Sequence, residues 1–414
     1  MRRALAKALP FVLVVLAGCG ADDKDTAPRY PIPGCESFDT SPCDITTPAC
    51  QTRLFELAAC LHGVEPGDMP PVTLMSENDF RSYLAAEAAA QQPMPNQDRW
   101  DAANEVLGLV APGGLDTATE IDDTVKAVGG FYDDQTKTVH VIDHGADSTP
   151  ETSCPVLLHE FVHSLQDREV DLTSFRQMHD ATYDADLASD AVIEGEAQFQ
   201  AQRYMASMLG LDPKSVDWAR FYAEGIASAE EQIAQAPSPL TATPNSYPYA
   251  WGSRYISLGW AATGHSGVLD LFAEPPADTQ REMASVVART DDVAGPPIAA
   301  PAAPAQLTFV GDDALGALGA FELLARSEDA SAESIVLDWR SDHLWIYAGT
   351  NAAELPSTTV VWACDFKTAG SAAGAARLVF GGQTEARAVG SRLVVAGADD
   401  GSSVDWAFDA LLSP

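Results

Sequence analysis

Basic residues are scarce in this chain. Its 414 residues hold 24 Lys and Arg against 60 Asp and Glu, a formal net charge of −36. Such a surface repels phosphate backbones, which argues against nucleic acid as a partner. A long hydrophobic run is also missing near the start. The apolar stretch from Phe11 to Ala17 is too short to cross a bilayer core of roughly 30 Å as a helix. No internal repeat is visible. Histidine is rare, eight in all, yet two of the eight fall within one five-residue pattern. The apolar fraction is ordinary, so a buried core is expected, in one large domain or two to three smaller ones.

The opening stretch "MRRALAKALPFVLVVLAGC" has a basic start (Arg2, Arg3, Lys7) followed by the short apolar run, the pattern of a signal peptide. Its end, "LAGC" from Leu16 to Cys19, resembles the lipobox of bacterial lipoproteins. That resemblance implies a signal peptide over residues 1–18, lipidation at Cys19, and membrane contact through the N-terminal lipid only. Gly20 follows the cysteine, with no Asp there to suggest inner-membrane retention. The expected location is the bacterial cell envelope, anchored in the outer membrane on its periplasmic or surface face. Residues 19–34 are polar and Pro-rich, as a flexible tether should be.

Six cysteines remain: Cys35, Cys43, Cys50, Cys60, Cys154 and Cys364. In an oxidising compartment they allow up to three disulfides. "ACQTRLFELAAC" reads as a helix, which places Cys50 and Cys60 about 15 Å apart, beyond disulfide reach. These two are expected to bond elsewhere, with Cys35 and Cys43 as candidates. Cys154 and Cys364 are then left as a long-range pair. The spacings match no zinc-knuckle pattern.

Residues 35–70 form a small Cys-rich segment, and a larger unit is expected over 71–290. Its first part, about 73–126, shows helical periodicity. "KAVGGFYDD" and "KTVHVID" then read as two strands around an Asp-Gln-Thr turn. Helices are expected over the segment carrying His159, then over 184–209, 214–236 and 249–263. Residues 291–305 are a Pro/Ala linker. Beyond it, 306–414 read as a small α+β unit. "SIVLDW", "HLWIYAG" and "STTVVWACDF" are expected strands, "SAAGAARLVF" a helix, "TEARAVGSRLVVAGA" a hairpin around Gly390, and "SVDWAFDALL" a last helix. A split β-α-β sandwich fits this order. His343, Trp339, Trp345 and Tyr347 read as core or strand-face residues.

The chemistry concentrates in "VLLHEFVHSLQD", residues 156–167. Two histidines four apart on a helix, His159 and His163, lie one turn apart on one face and can reach one ion. Glu160, one residue past His159, is angled toward the open position of a zinc site, where it can take a proton from zinc-bound water. Zinc needs a third protein ligand. A third histidine is excluded, because Gln166 and Glu169 stand where the metzincin pattern has Gly and His. "SDAVIEGEAQFQAQ", residues 189–202, offers Glu194 or Glu196 instead. Two residues apart on a helix, they point to roughly opposite sides. Glu194 is favoured, since Ala191, Ala197 and Ala201 on its face allow close approach to the His helix. Glu196 shares its face with Val192, Ile193 and Phe199. Asp190 and Gln198, one turn either side of Glu194, are candidate partners that orient it. His179, Asp180 and Asp184 are fallback ligands.

His-Glu-x-x-His followed by Glu-Gly-x-Ala resembles the gluzincin metallopeptidases, especially the aminopeptidase-N-type branch. "IEGEA" matches at Glu194, Gly195 and Ala197, with Ile193 where Asn is usual. "PYAWG" matches a downstream element at Pro248, Tyr249 and Gly252, with Trp251 where Lys is usual. The pair of motifs is also similar to poorly characterised bacterial exported proteins that carry His-Glu-x-x-His-Ala-Leu-Gln-Asp and a later Glu-Gly-Asp/Glu-Ala. This resemblance covers about residues 127–285. It implies an α+β fold: a mainly helical zincin-like domain with a small β-hairpin or sheet, beside the small C-terminal unit. It further implies one Zn2+ on His159, His163 and Glu194, Glu160 as base, and Tyr249 as donor to the oxyanion. Two departures stand out. Thirty residues separate His163 from Glu194, a longer gap than usual. The Gly-x-Met-Glu-Asn element that anchors a free amine is absent. The expectation is therefore an endopeptidase that pairs an extended peptide or protein substrate with the "VGGFYDD" strand. The alternative is a catalytically inactive zincin-fold lipoprotein that acts as a binding or scaffold module.

Overall fold

Thr47 opens the first helix. Its hydroxyl accepts the Cys50 amide, Pro48 occupies the first turn, and Gly63 in the left-handed region closes helix α1, Pro48–His62. Two disulfides clamp the preceding loop to this helix, Cys35–Cys60 and Cys43–Cys50. As expected, Cys50 and Cys60 pair with Cys43 and Cys35. The long-range pair does not form. Cys154 and Cys364 are buried thiols in two different hydrophobic clusters. Cys154 lies beside Cys43, whose amide donates to its sulfur at 3.3 Å.

The structure is a computed structural model that describes residues 30–92, 94–114, 117–285, 295, 297–325, 332–351, 353–378 and 383–413. The signal-peptide stretch, Cys19 and most of the tether lie outside the described residues, as do residues 286–294 and 296 about the start of the Pro/Ala linker.

Strand β1 (Val72–Ser76) precedes helices α2 (Glu77–Ala90), α3 (Gln97–Leu107) and α4 (Thr117–Ala127). The hairpin follows, β2 (Gly130–Asp133) and β3 (Thr138–Asp143), where the sequence places it. β1 corrects the helical reading of this region. It pairs parallel with β3, giving the order β1-β3-β2. It is short and mostly solvent-facing, so it shows no clean alternation, and only its partner reveals it. Ser76 then caps α2 by accepting the Asp79 amide.

The site-bearing helices come next: α5 (Pro150–Val170), α6 (Leu172–His179) and α7 (Tyr183–Met208). α7 is buried over nearly its whole length, so it reads as a central helix rather than an amphipathic one. Helices α8 (Trp218–Gln235) and α9 (Pro239–Ala242), a single π-helical turn (Pro248–Gly252), and helices α10 (Ser253–Thr263), α11 (His265–Ala273) and α12 (Thr279–Met283) follow, and the turn, α10, α11 and α12 pack on α7.

The C-terminal part contains β4 (Thr308–Asp313), α13 (Gly316–Leu324), α14 (Ala332–Val336), β5 (Trp339–Thr350), β6 (Pro356–Phe366), α15 (Ala369–Leu378), β7 (Thr384–Val389), β8 (Arg392–Ala398) and α16 (Asp405–Leu412). The strands form an antiparallel-paired sheet in the order β4-β5-β6-β8-β7. β6 and β7 run parallel through α15 with β8 inserted between them, a split β-α-β arrangement. The "SIVLDW" strand is a correction: Ile335 and Val336 end helix α14, and β5 starts at Trp339. The fold is α+β. One apolar cluster joins Ala103 of α3, Leu187 and Ala191 of α7, Ile226 of α8, and Ile346, Val360 and Val395 of the C-terminal sheet. The core therefore draws on residues from both sides of the linker.

Candidate metal centre

α5 and α7 pack face to face, and this brings three side chains from distant sequence together. His159 and His163 project from α5, and Glu194 projects from α7; all three are buried. His159 Nε2 and His163 Nε2 are 3.0 Å apart. Glu194 Oε2 is 3.3 Å from the first and 3.2 Å from the second. Four ligands held about 2.0–2.1 Å from a tetrahedral zinc lie about 3.3 Å from one another. The three observed separations are close to the edges of one face of that tetrahedron, so the donor set fits such an ion in both spacing and chemistry. Two of the fallback residues are engaged elsewhere. His179 Nδ1 meets the Phe175 carbonyl oxygen at 2.7 Å. Asp184 accepts from the Thr279 amide and hydroxyl at 2.9 and 2.7 Å.

Glu160 is buried beside the triad. Burial pushes its carboxyl up to about 8, partly opposed by the charge of His163. Burial pulls His159 down to about 4. Burial also disfavours charge on His163, but the Glu194 carboxylate outweighs it and holds the imidazole up at about 9. Glu194 is held well below the usual carboxylate range, because the two imidazoles outweigh its burial.

The cleft in front of these residues spans about 370 Å³, including space open to solvent. Gly130, Phe131 and Tyr132 of β2 form one wall, Leu172 and Arg176 of α6 another, and Tyr249 a third. β2 is an edge strand of its sheet. It lies close to α5 because residue 130 is glycine: a Cβ there would sit 2.9 Å from Val156 and 3.2 Å from the Glu160 side chain. Asp167 fastens the hairpin to α5, accepting from the Tyr132 hydroxyl at 2.8 Å and Lys137 at 2.5 Å.

Tyr249 sits on the π-helical turn, with its hydroxyl 3.3 Å from Glu194 Oε2. Two glycines put it there. A Cβ on Gly195 would lie 2.4 Å from the Gly252 carbonyl carbon, and one on Gly252 would lie 2.3 Å from the Ala191 carbonyl oxygen. The backbones of α7 and the turn touch, as they do only between glycines. Tyr247 and Tyr255 point into other surroundings. The Tyr247 hydroxyl donates to Glu282, and Tyr255 packs with Phe272 and Val268.

Asp190 is buried one turn from Glu194, with Oδ1 3.7 Å from Arg176 Nε. Asp134 holds the same guanidinium at 3.2 Å. Asp190 thus bears on the cleft through Arg176. Gln198 is buried on the same helix.

Several residues of the site region escaped sequence reasoning. Gln166 Oε1 lies 2.9 Å from His163 Nδ1. Glu196, the less favoured of the two candidate carboxylates, is fully buried and bonded to Gln166 and His62. Gln166 did carry a signal, since it follows His163 by three residues and shares its helix face. His62 and Arg176 carried none. His62, Glu196 and His265 also cluster. Glu196 and Glu169 lie 2.7 and 2.8 Å from the two ring nitrogens of His62, which is hydrogen-bond spacing, shorter than a tetrahedral edge. In the C-terminal sheet His343 pairs with Asp312 at 2.8 Å, while Trp339, Trp345 and Tyr347 are buried.

Comparison with known proteins found no matching family model, no matching curated protein and no matching solved structure.

Proposed function

We propose that this chain is a zinc metallopeptidase of the gluzincin type, an endopeptidase, exported and lipid-anchored through Cys19. The observation that supports it most is the meeting of His159 Nε2, His163 Nε2 and Glu194 Oε2 at 3.0–3.3 Å. These three residues would hold the ion. When bound, zinc supplies Lewis acidity, polarising a peptide carbonyl and making water a stronger acid. Glu160 takes the proton of the attacking water and returns it to the departing amine. Tyr249, with its hydroxyl already at the triad, donates to the oxygen on which charge develops. β2 is an edge strand that walls the cleft, and an extended peptide lies beside it with its scissile bond near Glu160. The resemblance in the two motifs points the same way.

The test is metal content followed by cleavage. Purified protein should hold one zinc per chain, and His163→Ala should lose it. Glu160→Gln should keep the zinc and lose chelator-sensitive cleavage of a peptide library. Zinc near zero in the unaltered protein refutes the site, and a Glu160→Gln protein that still cleaves refutes the mechanism. Zinc without any cleavage would favour the binding-module alternative.

A further inference from the structure

His163 turns Nε2 toward Glu194 and His159, and its other nitrogen is already engaged. Nδ1 lies 2.9 Å from Gln166 Oε1. The Gln166 amide nitrogen lies 2.9 Å from the Ile193 carbonyl oxygen and 3.0 Å from Glu196 Oε2. A carbonyl and a carboxylate only accept, so the amide must turn its NH2 toward these two and its oxygen toward His163. That oxygen requires a proton on His163 Nδ1, so once the ring is neutral, as a metal ligand must be, its lone pair is on Nε2. Glu196 is fixed in turn. Its Oε1 meets His62 Nδ1 at 2.7 Å, and His62 Nε2 meets Glu169 Oε2 at 2.8 Å. Glu196 and His62 are 0% and 1% exposed, so water does not compete for these bonds. His62 is the last residue of α1, whose final turn is tied down by Cys35–Cys60.

We propose that Gln166, Glu196 and His62 are a positioning relay that sets the tautomer of His163 and makes it a metal ligand, with the disulfide-clamped helix α1 as its anchor. The relay rests on the metal-site reading above. It gives the Cys-rich segment a part in the site that its sequence does not announce. It also explains why the two carboxylates around Gly195 differ in duty: Glu194 meets the ion, and Glu196 orients the amide behind the opposite ligand.

The experiment measures zinc affinity of the full chain by competition with a chromophoric chelator, with folding checked by circular dichroism. Gln166→Leu removes the acceptor for His163, and Glu196→Leu removes the group that orients the amide. Each should weaken zinc binding roughly 10–100-fold. Glu196→Gln keeps an oxygen for the Gln166 amide and can donate its own NH2 to a neutral His62, so it should bind within a few-fold of the unaltered protein. Long-range proton–nitrogen spectra of the zinc-loaded protein should show His163 protonated at Nδ1 in the unaltered and Glu196→Gln chains. A folded Gln166→Leu protein that binds zinc as tightly as the unaltered one overturns the relay, as does a Glu196→Gln protein as weak as Glu196→Leu. If Glu196→Leu does not fold, the contrast between Gln166→Leu and Glu196→Gln decides. Failure of the unaltered protein to take up zinc would refute the metal site itself, and the relay with it.

Discussion

Gly195→Ala is a small change with a calculable consequence. The added Cβ would meet the Gly252 carbonyl carbon at 2.4 Å, where ordinary contact begins at 3.4 Å. The α7 backbone and the π-helical turn must therefore separate by about 1 Å, a shift of the size overpacking produces in tight cores. Overpacking of this kind costs about 1–3 kcal/mol, and alanine's helix propensity returns about 1 kcal/mol. Net stability should then fall by only about 0–2 kcal/mol, so thermal melting is a blunt readout. Site geometry is the sharper one. The Tyr249 hydroxyl is 3.3 Å from Glu194 Oε2, and about 1 Å more takes it beyond hydrogen-bond range. A misplaced oxyanion donor costs about 2.7–4 kcal/mol, a factor of roughly 10²–10³ in kcat. The five-residue turn should move rather than the two long helices, so zinc affinity should stay within a few-fold. The assay is steady-state cleavage of a peptide found in a library screen, with zinc measured on the same sample. A folded, zinc-loaded Gly195→Ala protein with kcat within threefold of the unaltered chain would refute the backbone contact or the role of Tyr249.

Tyr249→Phe should retain zinc and lose roughly 10²-fold in kcat; an unchanged kcat would remove the tyrosine from the mechanism while leaving the metal site standing. Glu322 accepts from the Tyr183 hydroxyl at 2.8 Å in the core, and burial pushes its carboxyl from 4.5 up to about 7. A folded-state pKa above the unfolded one means the folded protein is penalised as pH rises. The penalty is absent below about pH 4, grows to about 3 kcal/mol, and is complete above pH 7. Glu322→Gln should thus raise the urea midpoint more at pH 8 than at pH 4.5, and an equal gain at both would refute this. Cys154 and Cys364 should stay unreactive to thiol reagents in the folded protein and react in denaturant, whereas a cross-linked Cys154–Cys364 peptide in a tryptic digest would refute their assignment as thiols.

The candidate metal triad was legible in the sequence because helix geometry leaves so few options. A spacing of four puts the two histidines on one face, and a spacing of two lets only one of Glu194 and Glu196 point toward that face. The hairpin before α5 was equally plain from its turn. What the sequence hid depends on contacts between distant segments. β1 exists because β3 is beside it. "SIVLDW" is β-branched enough to read as a strand, yet Ile335 and Val336 end a short helix against the core. The pairing of Cys154 with Cys364 assumed that every cysteine outside the N-terminal clamp must bond, whereas each fills its own apolar cluster as a small hydrophobe. His62 shows the same limit. Nothing in α1 announces that its last residue reaches Glu196, 134 positions later.

The shared core has a consequence for the order of assembly. Ala103, Leu187 and Ile226 pack in the same cluster as Val360 and Val395, so α7, which carries Glu194, closes this one face only after the last strands have been made. Contacts of such long sequence separation form late, once the intervening loops have been closed. A chain cut at the Pro/Ala stretch would hold His159, His163, Glu194, Glu160 and Tyr249, but not the strands against which one face of α7 is seated. A nascent or truncated chain thus carries the site's residues with one face of the helix that bears Glu194 left uncovered.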